Sequence, residues 1–167
     1  MLIRPATSGD FDALRNVELA SFETLRDAGA VSGAPAASSD EELNEYLEHD
    51  LLYMACDQND VAVGYCGGYV VEKLLHIGEM DVHPACQRKG LGRKLLTTLL
   101  DEGRARKLEG ATLTTDRLAP FNAPFYATFG FRLLEKEACS PRLCRILEAE
   151  IEKGLDPSRR VAMTLSF

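Results

Sequence analysis

Three closely spaced apolar runs between residues 51 and 82, LLYMAC, VAVGYCGGYVVEK and LLHIGEMDV, constrain the fold more than any other feature of the chain. Each has the length and composition of a strand; DQND makes a polar turn after the first, and a weaker break falls near Lys73. Such short connections predict three adjacent antiparallel strands. Leu91, Leu95, Leu96, Leu99, Leu100 and Leu108 then repeat along one helical face, with Arg93, Lys94, Thr97, Asp101 and Arg104 opposite. ATLTTD follows as a further strand. This β-α-β order predicts that part of the sheet is parallel.

The flanking segments extend that pattern. LIRPA reads as a first short strand. TSGDFDALRNVELASFETLRDAG reads as a helix with Thr7, Ser8 or Asp10 as N-cap, Phe11, Leu14, Val17 and Leu25 near helical spacing, and a stop at Gly29. Residues 30–39, AVSGAPAASS, predict a loop, and DEELNEYLEHD a second, shorter helix. Towards the C-terminus, APFNAPFYATFG is a loop leading into a short helix ended by Gly130, and FRLLEKE is a strand. Ser140-Pro141 starts a last helix, Gly154 stops it, and Arg160 to Phe167 return as a strand. With 167 residues, 46% of them hydrophobic and 27% charged, the chain is expected to form one α/β domain over 1–167, its mixed sheet flanked by helices.

Several function classes are disfavoured. MLIRPATSGD lacks the cationic and apolar regions of a signal peptide, and no apolar run is long enough to span a bilayer, so a soluble cytoplasmic protein with no membrane partner is expected. Five cysteines without C-x-x-C spacing predict free thiols. His49 and His83 lack ligand spacing with another His or Cys, and no metal is expected. A net charge of -7 argues against nucleic acid and favours a cationic small partner.

Against that acidic background, Gln87-Arg88-Lys89-Gly90-Leu91-Gly92 leaves a strand and begins the leucine-faced helix. The first amides of a helix have no intrahelical acceptor and, with the helix dipole, form an anion site. Arg88, Lys89, Arg93 and Lys94 crowd the end where the dipole penalises cations. A bound polyphosphate turns that conflict into attraction, so phosphates are expected at Arg88 to Arg93. A Walker A loop is excluded because Arg93 follows Gly92 in place of lysine and a hydroxyl residue. A dinucleotide fingerprint is excluded because Leu95 stands where its third glycine belongs.

MDVHPACQRKGLGRKLL together with NAPFYATFGFR resembles the GNAT-type N-acetyltransferase superfamily. The first half carries Val82, Pro84, Gln87 or Arg88, Gly90 and Gly92, and the second Asn122, Tyr126, Gly130 and Phe131. The resemblance implies a centrally splayed sheet and acetyl-CoA as acetyl donor. It also implies that amides of Arg88, Lys89, Gly90, Leu91, Gly92 and Arg93 hold the pyrophosphate, with Gln87 a further cofactor-binding residue, that the edge formed by Met80, Asp81 and Val82 pairs with pantetheine, and that Asn122 contacts the cofactor arm. The segment 138–156 is its least general part.

Acyl transfer to an amine needs a neutral nucleophile, stabilisation of an oxyanion and a proton for the leaving thiolate. By resemblance, Tyr126 is the proton donor and Glu79 the general base, with Asp81 and His76 as competitors. Strict alternation puts Glu79 and Asp81 on one face and His76 on the other, unless a bulge near Asp81 changes the count. A covalent acetyl-Cys86 is the less favoured mechanism. The expected activity is transfer to a primary amine, a small cationic one favoured, in a ternary complex. A protein or peptide amine, a CoA-binding regulatory domain without turnover, and a nucleotide module are the alternatives. A homodimer is left open.

Overall fold

A computed structural model describes residues 1–167. The elements run β1 (Leu2–Pro5), α1 (Phe11–Asp27), α2 (Asp40–Glu48), β2 (Leu52–Cys56), β3 (Ala62–Val71), β4 (Leu74–Val82), α3 (Leu91–Ala105), β5 (Gly110–Asp116), α4 (Ala123–Ala127), β6 (Arg132–Leu134), α5 (Pro141–Glu152) and β7 (Arg160–Ser166). The strands form one seven-stranded sheet in the order β1-β2-β3-β4-β5-β7-β6, and the pairing is antiparallel everywhere except between β4 and β5.

Local chemistry explains most boundaries. Asp10 precedes α1 and accepts from the Thr7 amide at 2.8 Å, while Arg4 bridges to its carboxylate at 3.0 Å. Ser39 and Glu42 cap α2 reciprocally. The weak break near Lys73 is a two-residue hairpin with Glu72 and Lys73 both at positive φ, as the twist of adjoining strands prefers. FRLLEKE forms a shorter strand than its composition suggests: pairing ends at Leu134, and residues 136–138 turn as a 3-10 segment. Leu108 lies beyond α3 but still packs against its core.

Two apolar layers cover the sheet. The α3 leucines pack on Leu75, Ile77, Ala111 and Leu113. On the opposite face, α1 and α2 place Leu14, Leu43 and Tyr46 against Met54 and Tyr65. The Tyr46 ring lies so close to Gly67 and Gly78 that a Cβ at either position would collide with it.

Two irregularities shape the middle of the sheet. Gly67 pairs with Glu79 but Gly68 pairs with Ile77, so Gly78 is an extra residue in β4. This bulge corrects the alternation argument: it precedes Glu79 instead of falling near Asp81, and it brings His76 onto the same face as both carboxylates. His76 stacks obliquely on Tyr69 at 5.0 Å, within the layer under α2. Second, the β4–β5 ladder covers Leu74–His76 against Gly110–Thr112 and then stops, although both strands continue. The sheet forks there. Arg142 of α5 holds the last rung from both sides, donating to Thr112 Oγ1 at 3.1 Å and lying 3.1 Å from His76 Nδ1.

Candidate active site

The fork gathers residues from α1, β3, β4, α3, β5 and α4. On its α3 side, Arg88 and Gly90 adopt left-handed backbone conformations, with φ of 61° and 80°, and turn the chain from β4 into α3. The amides of Leu91, Gly92 and Arg93 open that helix and have no intrahelical acceptor. Lys89 Nζ donates to Ala85 O at 3.2 Å, and the Arg93 guanidinium donates to Thr128 Oγ1 at 2.9 Å while lying over the Phe129 ring. Both cations are tied back onto the protein. Gln87 donates its side-chain amide to Val82 O at 2.9 Å, joining the loop to the end of β4. His83 Nδ1 accepts from the Ala85 amide at 3.1 Å and caps the short turn that contains Cys86.

From Ile77 to Val82 the edge of β4 facing β5 has no ladder partner. On that side Val82 O accepts from Gln87, while the backbone groups of Met80 and the Val82 amide require an acceptor or donor from elsewhere; Asp81, paired with Tyr65, turns its backbone toward β3. Across the gap, Asn122 donates to Thr115 Oγ1 at 2.8 Å, but its own Oδ1 is buried without a partner. These are the features that an extended, amide-bearing chain would satisfy.

Tyr126 comes from α4, and its ring is buried edge-on between Phe125 and Phe131. The hydroxyl is held protonated well above the usual tyrosine range, first by burial and then by the negative fields of Glu79 and Asp81, with Arg160 opposing.

Glu79 and Asp81 project towards α1, where they meet Glu18, and oxygen atoms of the three lie within 4.8 Å of one another. Burial raises the pKa of each. At Glu79 the neighbouring charges of Asp81 and Glu18 raise it further; at Glu18 hydrogen bonds from Ser38 and Tyr65 oppose, and at Asp81 those from Glu79 and Ser21 oppose. Tyr65 Oη donates to Glu18 at 2.5 Å, Ser38 donates its hydroxyl at 2.6 Å and also its amide, and Ser21 Oγ donates to Asp81 Oδ1 at 2.5 Å. Asp81 Oδ2 has no partner. Such a group could accept a cation or a proton. His76 is a weaker base candidate, because burial, followed by the Arg142 charge, lowers its pKa to about 3.

Of the residues expected from sequence, the fork brings together Tyr126, Glu79, Asp81, Asn122 and the loop from Gln87 to Arg93. Glu18, Ser21, Ser38 and Tyr65 were missed. A signal existed for two of them: Glu18 and Ser21 fall at the spacing of Leu14 and Val17, on the buried face of α1.

A strand that exits into a helix N-terminus beside a forked sheet is the arrangement that the resemblance to the GNAT-type acetyltransferases implies. The model of the acetyltransferase (GNAT) family matches residues 12–131, and the chain belongs to that family. Among solved structures, the N-acetyltransferase PaiA of Thermoplasma acidophilum in complex with coenzyme A superposes with a TM-score of 0.72 at 16% identity, covering 99% of this chain and 98% of that one. Rv2747 of Mycobacterium tuberculosis, in complex with CoA and NLQ, gives 0.72 at 20% identity over 100% and 99%. The ribosomal-protein-S18-alanine N-acetyltransferase of Escherichia coli gives 0.67 at 20% over 99% and 92%. The chain is thus an acetyl-CoA-dependent acetyltransferase of that family, and no helix in it is long and apolar enough to cross a membrane.

Proposed function

We propose that the protein transfers the acetyl group of acetyl-CoA to a primary amine, a small cationic amine being the favoured acceptor. The observation that carries this reading is the fork itself: the β4–β5 ladder stops after His76, the left-handed loop of Arg88 and Gly90 leads into α3 at one end of the free β4 edge, and Tyr126 is buried in α4. The amides of Leu91 to Arg93 receive the pyrophosphate, the free β4 edge at Met80 to Val82 receives the pantetheine amides, and Asn122 Oδ1 receives a donor from the same arm. CoA bound in that position supplies an activated acetyl thioester.

Glu79 accepts an N–H proton from the amine as the carbon–nitrogen bond forms. Its raised pKa makes it a better base than an ordinary carboxylate. Tyr126 gives its phenolic proton to the departing thiolate as the carbon–sulfur bond breaks, and exchange with solvent resets both groups. The net charge of -7 and the scarcity of cations around the carboxylates favour a cationic acceptor over a neutral or acidic one.

Thermal unfolding with acetyl-CoA tests donor binding, since ligand at about 100 times its Kd adds about 2.7 kcal/mol of stability. An amine panel with mass detection of product then tests transfer. Stabilisation with no acetylated amine would refute the enzyme reading and favour a CoA-binding regulatory domain.

A further inference from the structure

The buried carboxylates of this protein fall into two kinds. Asp116 is fully buried and held by Arg159 at 2.8 Å, and the nearly buried Glu150 is held by Arg160. Glu18, Glu79 and Asp81 have no Lys, Arg or His within ion-pair distance, although Glu18 is 7% exposed and Asp81 8%. Buried charges are normally paired. Their partners outside the group are the hydroxyls of Ser21, Ser38 and Tyr65 and the Ser38 amide, and no hydroxyl or N–H from the rest of the protein reaches Asp81 Oδ2, which lies among the three carboxyls.

We propose that Glu18, Glu79 and Asp81 form one subsite for the acceptor, which takes it as a primary alkylammonium, and that Glu18 is a specificity-determining wall of this subsite. The assignment rests on the acetyl-transfer reading above. A primary ammonium offers three N–H donors to carboxylate oxygens arranged around it, and the orphan Oδ2 of Asp81 is one of the acceptors waiting. One of those protons passes through a Glu79 carboxylate oxygen to solvent, which leaves a neutral amine and returns Glu79 as the carboxylate that accepts the second N–H proton when the carbon–nitrogen bond forms. Tyr46, whose ring lies across Gly67 and Gly78 beside Glu79, and Tyr65 give the surroundings an aromatic character suited to an alkyl stem and its cationic head.

Glu18 contributes something that the β4 carboxylates do not. Its two oxygens bind the amide and hydroxyl of Ser38, a buried residue at the end of the loop 30–39. The wall of the subsite is therefore also the anchor of the loop beside it.

The test uses the full chain with n-butylamine, tetramethylammonium and magnesium chloride as probes. Glu18→Gln keeps the shape and the bonds to Ser38 but removes the charge; it should raise KM for n-butylamine about tenfold or more while KM for acetyl-CoA stays within about twofold. In thermal unfolding without CoA, n-butylammonium should stabilise the wild type and not Glu18→Gln, and tetramethylammonium, which has no N–H, should stabilise neither. Ser39→Ala, which removes the cap of α2 beside that loop but touches none of the three carboxylates, should leave KM for n-butylamine within about threefold. If Glu18→Gln does not fold, Asp81→Asn carries the same prediction.

An unchanged KM for n-butylamine in Glu18→Gln overturns the subsite while leaving acetyl transfer standing. Stabilisation by magnesium but not by n-butylammonium, lost in Glu18→Gln, overturns it in favour of a metal site. Stabilisation by n-butylammonium that is lost in Glu18→Gln, without acetylation of any amine, upholds the subsite and removes the transferase reading.

Discussion

Asp116 and the group formed by Glu18, Glu79 and Asp81 sit on opposite sides of the same fork, and they solve the burial of negative charge in opposite ways. Burial alone opposes ionisation of Asp116. Two hydrogen bonds from Arg159 and the amides of Ala119 and Leu118 outweigh it and hold the carboxyl below its ordinary range. Arg159 also donates to Ala28 O, so this pair ties β5 to the end of α1. The group around Glu79 has hydroxyls where Asp116 has a guanidinium, and its carboxyls rise. One arrangement secures the frame. The other is costly to the fold and is useful only to a ligand or a reaction.

This contrast can be broken by mutation. The largest expected effect is on catalysis: Glu79→Gln should lower kcat/KM for amine acetylation by about 10²–10⁴-fold, the usual contribution of a general base, while its unfolding midpoint at pH 8 does not fall. Asp116→Ala should do the reverse. Removing one partner of a buried pair costs about 3–5 kcal/mol, measurable by urea unfolding, and KM for acetyl-CoA should not change in the molecules that remain folded. Tyr126→Phe should slow kcat by about 10²-fold with KM for acetyl-CoA nearly unchanged, in steady-state kinetics at saturating amine.

The pH dependence of stability sharpens the comparison, because the two sites have opposite signs. Asp116 has a depressed folded pKa, so its contribution is present above the unfolded value of about 4 and is lost as pH falls through the folded one. The three carboxyls have raised folded pKa values, so the native state binds protons more readily than the unfolded chain, and stability is lost as pH rises through them. Urea midpoints of wild type and Glu79→Gln should therefore converge towards acid and separate above the ordinary carboxylate range, with the variant the more stable. A smaller effect is expected at the loop: Gly90→Ala forces a side chain into a φ of 80° and should cost about 1–2 kcal/mol in the same assay.

Much of this frame was readable in the sequence because it rests on periodicity and on glycines. The leucines of α3, the antiparallel run from β2 to β4, and the loop from Gln87 to Gly92 all announce themselves locally. The fork does not, because the point where β4 and β5 part is set by non-local packing, including Arg142 of α5 reaching His76 and Thr112. The bulge escaped strict alternation because Gly78 has no side chain to mark a face, and it moved His76 to the side of Glu79. Asp116 and Arg159 are far apart in the chain, and nothing in either neighbourhood names the other. Glu18 and Ser21 were within reach, since a carboxylate and a hydroxyl on the apolar stripe of α1 break the pattern; on sequence alone such a break also fits a polar residue at the edge of the stripe.

The most direct measurement is the initial rate of acetyl transfer from acetyl-CoA to n-butylamine, followed by mass detection of the amide, for wild type and Glu79→Gln side by side. The account predicts product from the wild type and a rate at least about 100-fold lower in the variant, with acetyl-CoA stabilising both proteins equally. Equal rates in the two proteins would contradict it.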